Sequence, residues 1–187
     1  MKRSLLTAFC LVLGASMAIA QPDVGTIDVF SDPGLADCNF TDSGPVLITV
    51  YVAATNSADG TSAAQWKMVI PSTWTFFGQV SPYPTVVGNV LEGISIGYGQ
   101  CLSGDAFLIL TVNMLGDGLS PTCSHISIVP DPDAPSGQIE IVDCQLPLPE
   151  KWLSDAAGQG VVNGDGSCPC NVPVQDTTWG GIKALYN

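Results

Sequence analysis

The stretch Pro45-Val46-Leu47-Ile48-Thr49-Val50-Tyr51-Val52-Ala53-Ala54 decides the fold class. Val46, Ile48, Val50 and Val52 fall at every second position, with Leu47, Thr49, Tyr51 and Ala53 between them. A period of two sends successive side chains to opposite faces, which is the signature of an extended strand. Valine, isoleucine, threonine and tyrosine are also the residues that fit a pleated surface. The same period recurs outward in both directions. Gly25–Phe30 reads as a short first strand. Ala63–Ile70 places Trp66, Met68 and Ile70 on one face and Gln65 and Lys67 on the other. Trp74–Val80, Thr85–Val90, Leu91–Tyr98, Ala106–Met114, His125–Val129 and Gln138–Asp143 follow, with a further segment at Gly160–Asn163. Turn formers separate them: Asp59-Gly60, Pro71-Ser72, Pro82 and Pro84, Ser103-Gly104-Asp105, Gly116-Asp117-Gly118, and the run from Asp131 to Gly137. Helical spacing is confined to a turn near Glu150–Ala156 and to the last residues. About nine short strands at this spacing predict an all-β sandwich or barrel.

The first twenty residues read as a secretory signal. Lys2 and Arg3 precede an apolar run from Leu5 to Ile19, which closes on Ala18-Ile19-Ala20 before Gln21 and Pro22. A basic start, a short apolar centre and a small-residue exit are the three parts of such a signal. The run is too short for a bilayer-spanning helix. Phe9 before Cys10 argues against a lipid-attachment site. The mature chain is then expected to begin near Gln21, to be exported, and not to be an integral membrane protein.

Composition limits the partners. Once Lys2 and Arg3 are removed, three lysines face 17 acids, a net charge near −14. Three lysines cannot build a basic face for nucleic acid or anionic lipid. Charged residues make up only 12% of the chain against 46% apolar, so there is material for a core and this is not a disordered acidic tail. About 165 residues amount to one domain.

Cleavage at Gln21 removes Cys10 and leaves Cys38, Cys101, Cys123, Cys144, Cys168 and Cys170. An even number of cysteines in an exported chain reads as a disulfide framework. Two arrangements remain open. If His125–Val129 pairs with Gln138–Asp143, Cys123 faces Cys144 and Cys168 is left to pair with Cys170. Alternatively Cys168 and Cys170 go separately to Cys123 and Cys144. In both, Cys38 pairs with Cys101 by elimination. A metal cluster is disfavoured, because only Cys168-Pro169-Cys170 is closely spaced and His125 is the one histidine.

Candidate chemistry is sparse. Gly93-Ile94-Ser95-Ile96-Gly97 matches the G-x-S-x-G of serine hydrolases, but no supporting helix follows the serine, so a serine-hydrolase role for Ser95 is the weakest reading. No catalytic residue is assigned. Asn163-Gly164-Asp165-Gly166 resembles half a calcium loop, yet Val161 stands at the first ligand position and no closing glutamate follows. Asp131-Pro132-Asp133 reads as a rigid turn. No cofactor is expected, with calcium the one candidate. Asn39-Phe40-Thr41 is a formal glycosylation acceptor. Trp66, Trp74, Phe76 and Phe77 lie close together. The alternation assigns Trp66 to the core and leaves Trp74 as the exposed ring for a sugar-binding platform.

The chain ends in Asp176-Thr177-Thr178-Trp179-Gly180-Gly181-Ile182-Lys183-Ala184-Leu185-Tyr186-Asn187 after a short spacer at Pro173-Val174-Gln175. In a helix Trp179, Ile182 and Tyr186 share a stripe, with Leu185 beside it. A dozen residues do not hold a helix alone in water. With the segment Pro135–Cys144 and Cys168-Pro169-Cys170, this ending resembles a group of secreted bacterial β-sandwich proteins whose activity is not known. In that resemblance Trp179, Gly180, Ile182, Lys183, Leu185 and Tyr186 form a terminal sorting or docking motif. Leu47–Val52, Ala63–Ile70 and Trp74–Val80 together look like the opening strands of cohesin-type sandwiches, which implies an extracellular domain that binds a protein partner. The expected organisation is a signal peptide at 1–20, an Ig-like or cohesin-like β-sandwich at 21–171 and a tail at 172–187. The expected function is a secreted or cell-surface, non-catalytic module that binds a protein or a glycan or contributes structure.

Overall fold

The computed structural model describes residues 24–144, 151–154 and 157–170. The signal segment and the tail motif from Trp179 to Tyr186 lie outside the described residues. Ten strands make up the domain: β1 Thr26–Phe30, β2 Asn39–Phe40, β3 Leu47–Val69, β4 Thr75–Val80, β5 Thr85–Asn89, β6 Gly93–Leu115, β7 Ser124–Val129, β8 Ile139–Asp143, β9 Lys151–Ser154 and β10 Gln159–Val162. The described residues contain no helix.

The frame is a long antiparallel ribbon of β3 and β6, each 23 residues. The sequence reads each as two strands divided by turn formers, and the structure runs through both divisions. Asp59-Gly60 and Ser103-Gly104-Asp105 are bends within continuous strands. Pairing shifts register between Val52 and Ala53, between Ser57 and Thr61, and between Thr61 and Ala63. Bulges of this kind add a residue to one strand and bend it. Gly60, at φ +86°, supplies a backbone conformation that side-chain-bearing residues avoid.

The bend divides the ribbon into two halves, each the centre of a sheet. The first half of β3 and the second half of β6 are flanked by β1 and β4. The second half of β3 and the first half of β6 are flanked by β8 and β5, with β9 beyond β8. At Lys67–Val69, β3 pairs with β7, which leads through β10 to the parallel strand β2. Two strands escape sequence reading. Asn39–Phe40 is too short to show a period. Lys151–Ser154, expected as a helical turn, pairs with β8.

Side chains from both halves close on one core, giving a β-sandwich. Ile48, Val50, Val52 and Ala54 point inward on the first half of β3, and Ala64, Trp66 and Met68 on the second. Ile94, Ile96, Tyr98, Leu110, Val112 and Met114 do the same on β6. Trp66 is fully buried and Met68 is 1% exposed, as the alternation requires. Burial of a large apolar side chain contributes about 1.5–3 kcal/mol before entropy is counted.

Three disulfides staple the sandwich: Cys38–Cys170, Cys101–Cys144 and Cys123–Cys168. Of the pairings weighed from sequence, only Cys168 with Cys123 is found. Cys38 with Cys101, Cys123 with Cys144 and Cys168 with Cys170 are overturned, as is Cys170 with either Cys123 or Cys144. The cause is register. β7 and β8 are not neighbours: β7 pairs with β10 and the end of β3, and β8 pairs with β3 and β9. Thr61 faces Leu102 on one side and Asp143 on the other, so the adjoining Cys101 and Cys144 converge over the bend. The loop after β10 then carries Cys168 to the start of β7 and Cys170 to the start of β2.

Candidate functional site

The outward residues of the second sheet form two lateral rows. Val87 on β5 faces Ser95 on β6, Ser95 faces Gln65 on β3, and Gln65 faces Glu140 on β8. In the second row Thr85 faces Gly97, Gly97 faces Ala63, Ala63 faces Val142, and Val142 faces Lys151 on β9. The alternation that buries Ala64, Trp66, Ile94, Ile96 and Ile141 requires these neighbours to face out.

Small residues at Ala63, Ser95 and Gly97 leave a shallow trough of about 160 Å³ between taller walls. Val87 stands on one side, 65% exposed on a strand with only β6 beside it among the described residues. Packing does not demand glycine at 97. An added Cβ would make ordinary contact with Thr85 at 3.4 Å. What glycine does there is deepen the trough.

The opposite wall is polar and fixed. The Glu140 carboxylate accepts a hydrogen bond from Lys151 Nζ at 2.8 Å and from Ser136 Oγ at 2.7 Å. Burial alone would raise the Glu140 carboxyl. The bonds from Lys151 and Ser136 and the Lys151 charge outweigh that and hold it below its ordinary value. Gln65 Nε2 donates to Asp131 Oδ2 at 2.9 Å, which ties the trough to the loop after β7. Asp131 also accepts from the Asp133 amide at 2.8 Å, so Asp131-Pro132-Asp133 is the rigid turn expected.

This setting accounts for the G-x-S-x-G pattern. A Cβ on Gly93, at φ +148°, would come within 2.5 Å of Asp131 Oδ1, so that glycine allows the Asp131 turn to dock. Ser95 stands mid-strand between Val87 and Gln65. His125 lies on β7 opposite Val161. The motif therefore forms no nucleophile elbow.

Trp74 does not occupy the exposed position that the sequence assigns to it. It is 5% exposed, stacked edge-on against Phe40 with ring centroids 6.2 Å apart. Its Nε1 donates to Asp42 Oδ2 at 3.2 Å. Pro71 O accepts the Trp74 amide in the turn before β4, which turns the ring inward. Phe77 is the exposed ring of this segment, at 75%. Trp74 and the partly buried Phe76 share the inward face, and the register shift between Phe76 and Gly78 comes after both.

Asp42 organises the loops at this end of the sandwich. It also accepts from Ser120 Oγ at 2.6 Å and from the Gly118 amide at 2.8 Å. Asn163 Oδ1 accepts the Asp42 amide at 2.9 Å, while Asn163 Nδ2 donates to Ser120 O at 2.9 Å. Asn163 thus serves as a loop clamp. Asp165 accepts from the Ser167 amide and hydroxyl at 2.7 and 2.6 Å, closing a tight turn. Asp165 Oδ, Cys123 Sγ and Cys168 Sγ lie within 4.8 Å of one another. The two sulfurs are bonded to each other, so this group does not form a metal ligand set.

No protein-family model and no curated protein sequence matches the chain. Solved structures do match. The seventh type I cohesin of ScaB from Pseudobacteroides cellulosolvens is 9% identical with a TM-score of 0.52, over 78% of this chain and 96% of that one. The third ScaB cohesin of R. flavefaciens is 14% identical with a TM-score of 0.50, over 79% and 99%. A type III cohesin module from the cell-surface anchoring scaffoldin ScaE of Ruminococcus flavefaciens is 7% identical with a TM-score of 0.50, over 78% and 89%. At such identities the likeness is one of fold: the chain is a cohesin-like β-sandwich stapled by disulfides.

Ser95 and Gly97 stand out in the sequence only as part of the G-x-S-x-G pattern, and the trough residues Ala63, Val87, Val142, Glu140 and Lys151 do not stand out at all. Alternation marks them as outward, but their meeting depends on the lateral register of five strands.

Proposed function

We propose that this domain is an extracellular, non-catalytic module that binds a protein partner on the face carrying the trough. The observation that carries the reading is the trough itself. It is a preformed depression of small side chains across β8, β3, β6 and β5, with an apolar wall at Val87 and a neutralised Glu140–Lys151 pair opposite. Such a surface offers shape and apolar area at low desolvation cost. The R. flavefaciens cohesin of similar fold was solved in complex with a group 1 dockerin. That supports a protein partner for this chain. The signal-like segment at 1–20 supports export. The terminal motif Trp179, Gly180, Ile182, Lys183, Leu185 and Tyr186 is proposed as a sorting element that retains the protein at the cell surface.

Immobilised secreted chain, exposed to the culture's own envelope and secreted fractions, tests the partner reading. A protein retained by the native chain should be lost from Gly97→Arg, which fills the trough, and from Val87→Asp. Retention unchanged in both folded variants would overturn it. Deleting residues 172–187 tests the tail, and unchanged surface retention would remove that role.

A further inference from the structure

The first half of β3 has one incompletely covered side. β6 pairs with it from Leu47 to Val52, but β1 covers the opposite side only from Tyr51 to Thr55, with Phe30 and Tyr51 as the last pair. The edge at Leu47–Val50 is therefore open. It borders a concavity of about 370 Å³ walled by Ser31, Asn39, Phe40, Thr41 and Ile48. We propose that Asn171-Val172-Pro173-Val174-Gln175 of this same chain docks on the open edge as a further strand, antiparallel to β3.

The edge offers hydrogen bonds that nothing else takes. Every second residue of Leu47–Val50 points its N–H and C=O away from β6, and these groups have no partner among the described residues. Such a row is a template for one more strand. The far wall has an open side as well. Cys38 and Phe40 accept from the amides of Val161 and Asn163, so by alternation the carbonyls of Asn39 and Thr41 point away from β10. Asp37 stands exposed at the lip, where its Oδ1 accepts from the Asn39 amide at 2.9 Å and from Asn39 Nδ2 at 2.7 Å. That carboxylate repels an acidic occupant, and residues 171–175 carry no charge.

A disulfide delivers the occupant to this place. Cys170 is bonded to Cys38, with Cα atoms 5.6 Å apart, and its Sγ accepts the Cys38 amide at 3.1 Å. Asp37, next to Cys38, accepts the Ser31 amide on its carbonyl at 2.7 Å, and Ser31 directly follows the last paired residue of β1. The chain leaving Cys170 therefore starts beside the point where β1 leaves β3, at the Val50 end of the open edge. Running from there toward Leu47, it continues the direction of β1. Five extended residues span about 17 Å, against roughly 13 Å for the four residues of the edge. A segment tethered at the lip meets the edge at an effective concentration on the order of millimolar. A separate peptide or a second copy would meet the same edge without that advantage.

The segment's sequence suits an edge strand. Val172 and Val174 are β-branched and stand two residues apart, so both point their backbone groups the same way. With those two bonded to β3, Pro173 turns its nitrogen outward, where no donor is needed. Proline in sheets is confined to such edge positions. The motif from Trp179 onward lies beyond this strand, so its sorting role stands or falls separately.

Amide hydrogen exchange, read by NMR on the oxidised full chain, tests the proposal. The Leu47–Val50 amides that point away from β6 should exchange at least about tenfold more slowly than in a chain ending at Cys170. Val174→Pro in the full chain removes one ladder donor and should lose the same protection. It carries the comparison if the truncated chain fails to fold. Exchange unchanged by truncation, or protection retained in Val174→Pro, would overturn the proposal. Protection that rises with protein concentration would assign the edge to a second copy and overturn it too.

Discussion

Gly60 lies directly beneath Cys101: a Cβ built on the glycine would stand 2.7 Å from Cys101 Sγ and 3.2 Å from Cys144 Sγ. The bend of the ribbon and the disulfide over it are therefore one device. Gly60→Ala should destabilise the fold by roughly 2 kcal/mol, from positive-φ strain plus the clash with sulfur. In a Cys101→Ala/Cys144→Ala background the clash is gone, and the same substitution should cost less. Urea unfolding of the four proteins measures the coupling. Strict additivity would show that the disulfide does not press on the bend.

Trp74 and Phe77 should respond in opposite ways to truncation. Trp74→Ala removes a buried ring and its bond to Asp42, at a cost of about 3–5 kcal/mol. Phe77→Ala, on an exposed ring, should stay within about 0.5 kcal/mol. Thermal melts of the two decide, and similar losses would contradict the inward placement of Trp74.

Asp42 should give the fold an acid limb. Burial raises its carboxyl, but bonds from Ser120, Gly118 and Trp74 outweigh that and leave it below its ordinary 3.8. A group depressed on folding stabilises fully above its unfolded value and loses that contribution as pH falls through the folded value. Asp42→Asn should therefore cost most near neutrality, and its deficit should narrow below about pH 3.8. A deficit in melting temperature constant from pH 7 to 2.5 would contradict this.

Lys151 should control the titration of Glu140 in the same sense. Lys151→Met removes one of the two side-chain donors to the carboxylate and its neighbouring charge. The Glu140 pKa should rise, and the pH at which its contribution is lost should rise with it. Carboxyl-carbon NMR of Glu140 in both proteins reads the shift directly, and an unmoved pKa would refute the pairing.

Alternation made the fold class and most strands legible in the sequence, because a buried face imposes period two on Ile48, Val50 and Val52 whatever the topology. Turn formers misled at Asp59-Gly60 and Ser103-Gly104-Asp105, where glycine serves a bend and not an end. Disulfide connectivity depended on which strands are neighbours, and the β7–β8 hairpin that sequence proximity suggests does not exist. The trough was illegible for the same reason. Ala63, Ser95 and Gly97 are unremarkable small residues until Thr85, Val142 and Lys151 are brought into line with them. Trp74 is misplaced by alternation alone because a period of two does not say which face is inward, and the face shared by Trp74 and Phe76 is the one that meets the core.

Site-specific photocross-linking in the cell of origin tests the central claim most directly. A benzophenone side chain placed at Val87 or Ser95, on the trough face, should trap one discrete protein. The same group at Thr111, on the opposite sheet, should trap none. Adducts from Thr111 equal to those from Val87 and Ser95, or none from any position in folded protein, would contradict a partner bound across β8, β3, β6 and β5.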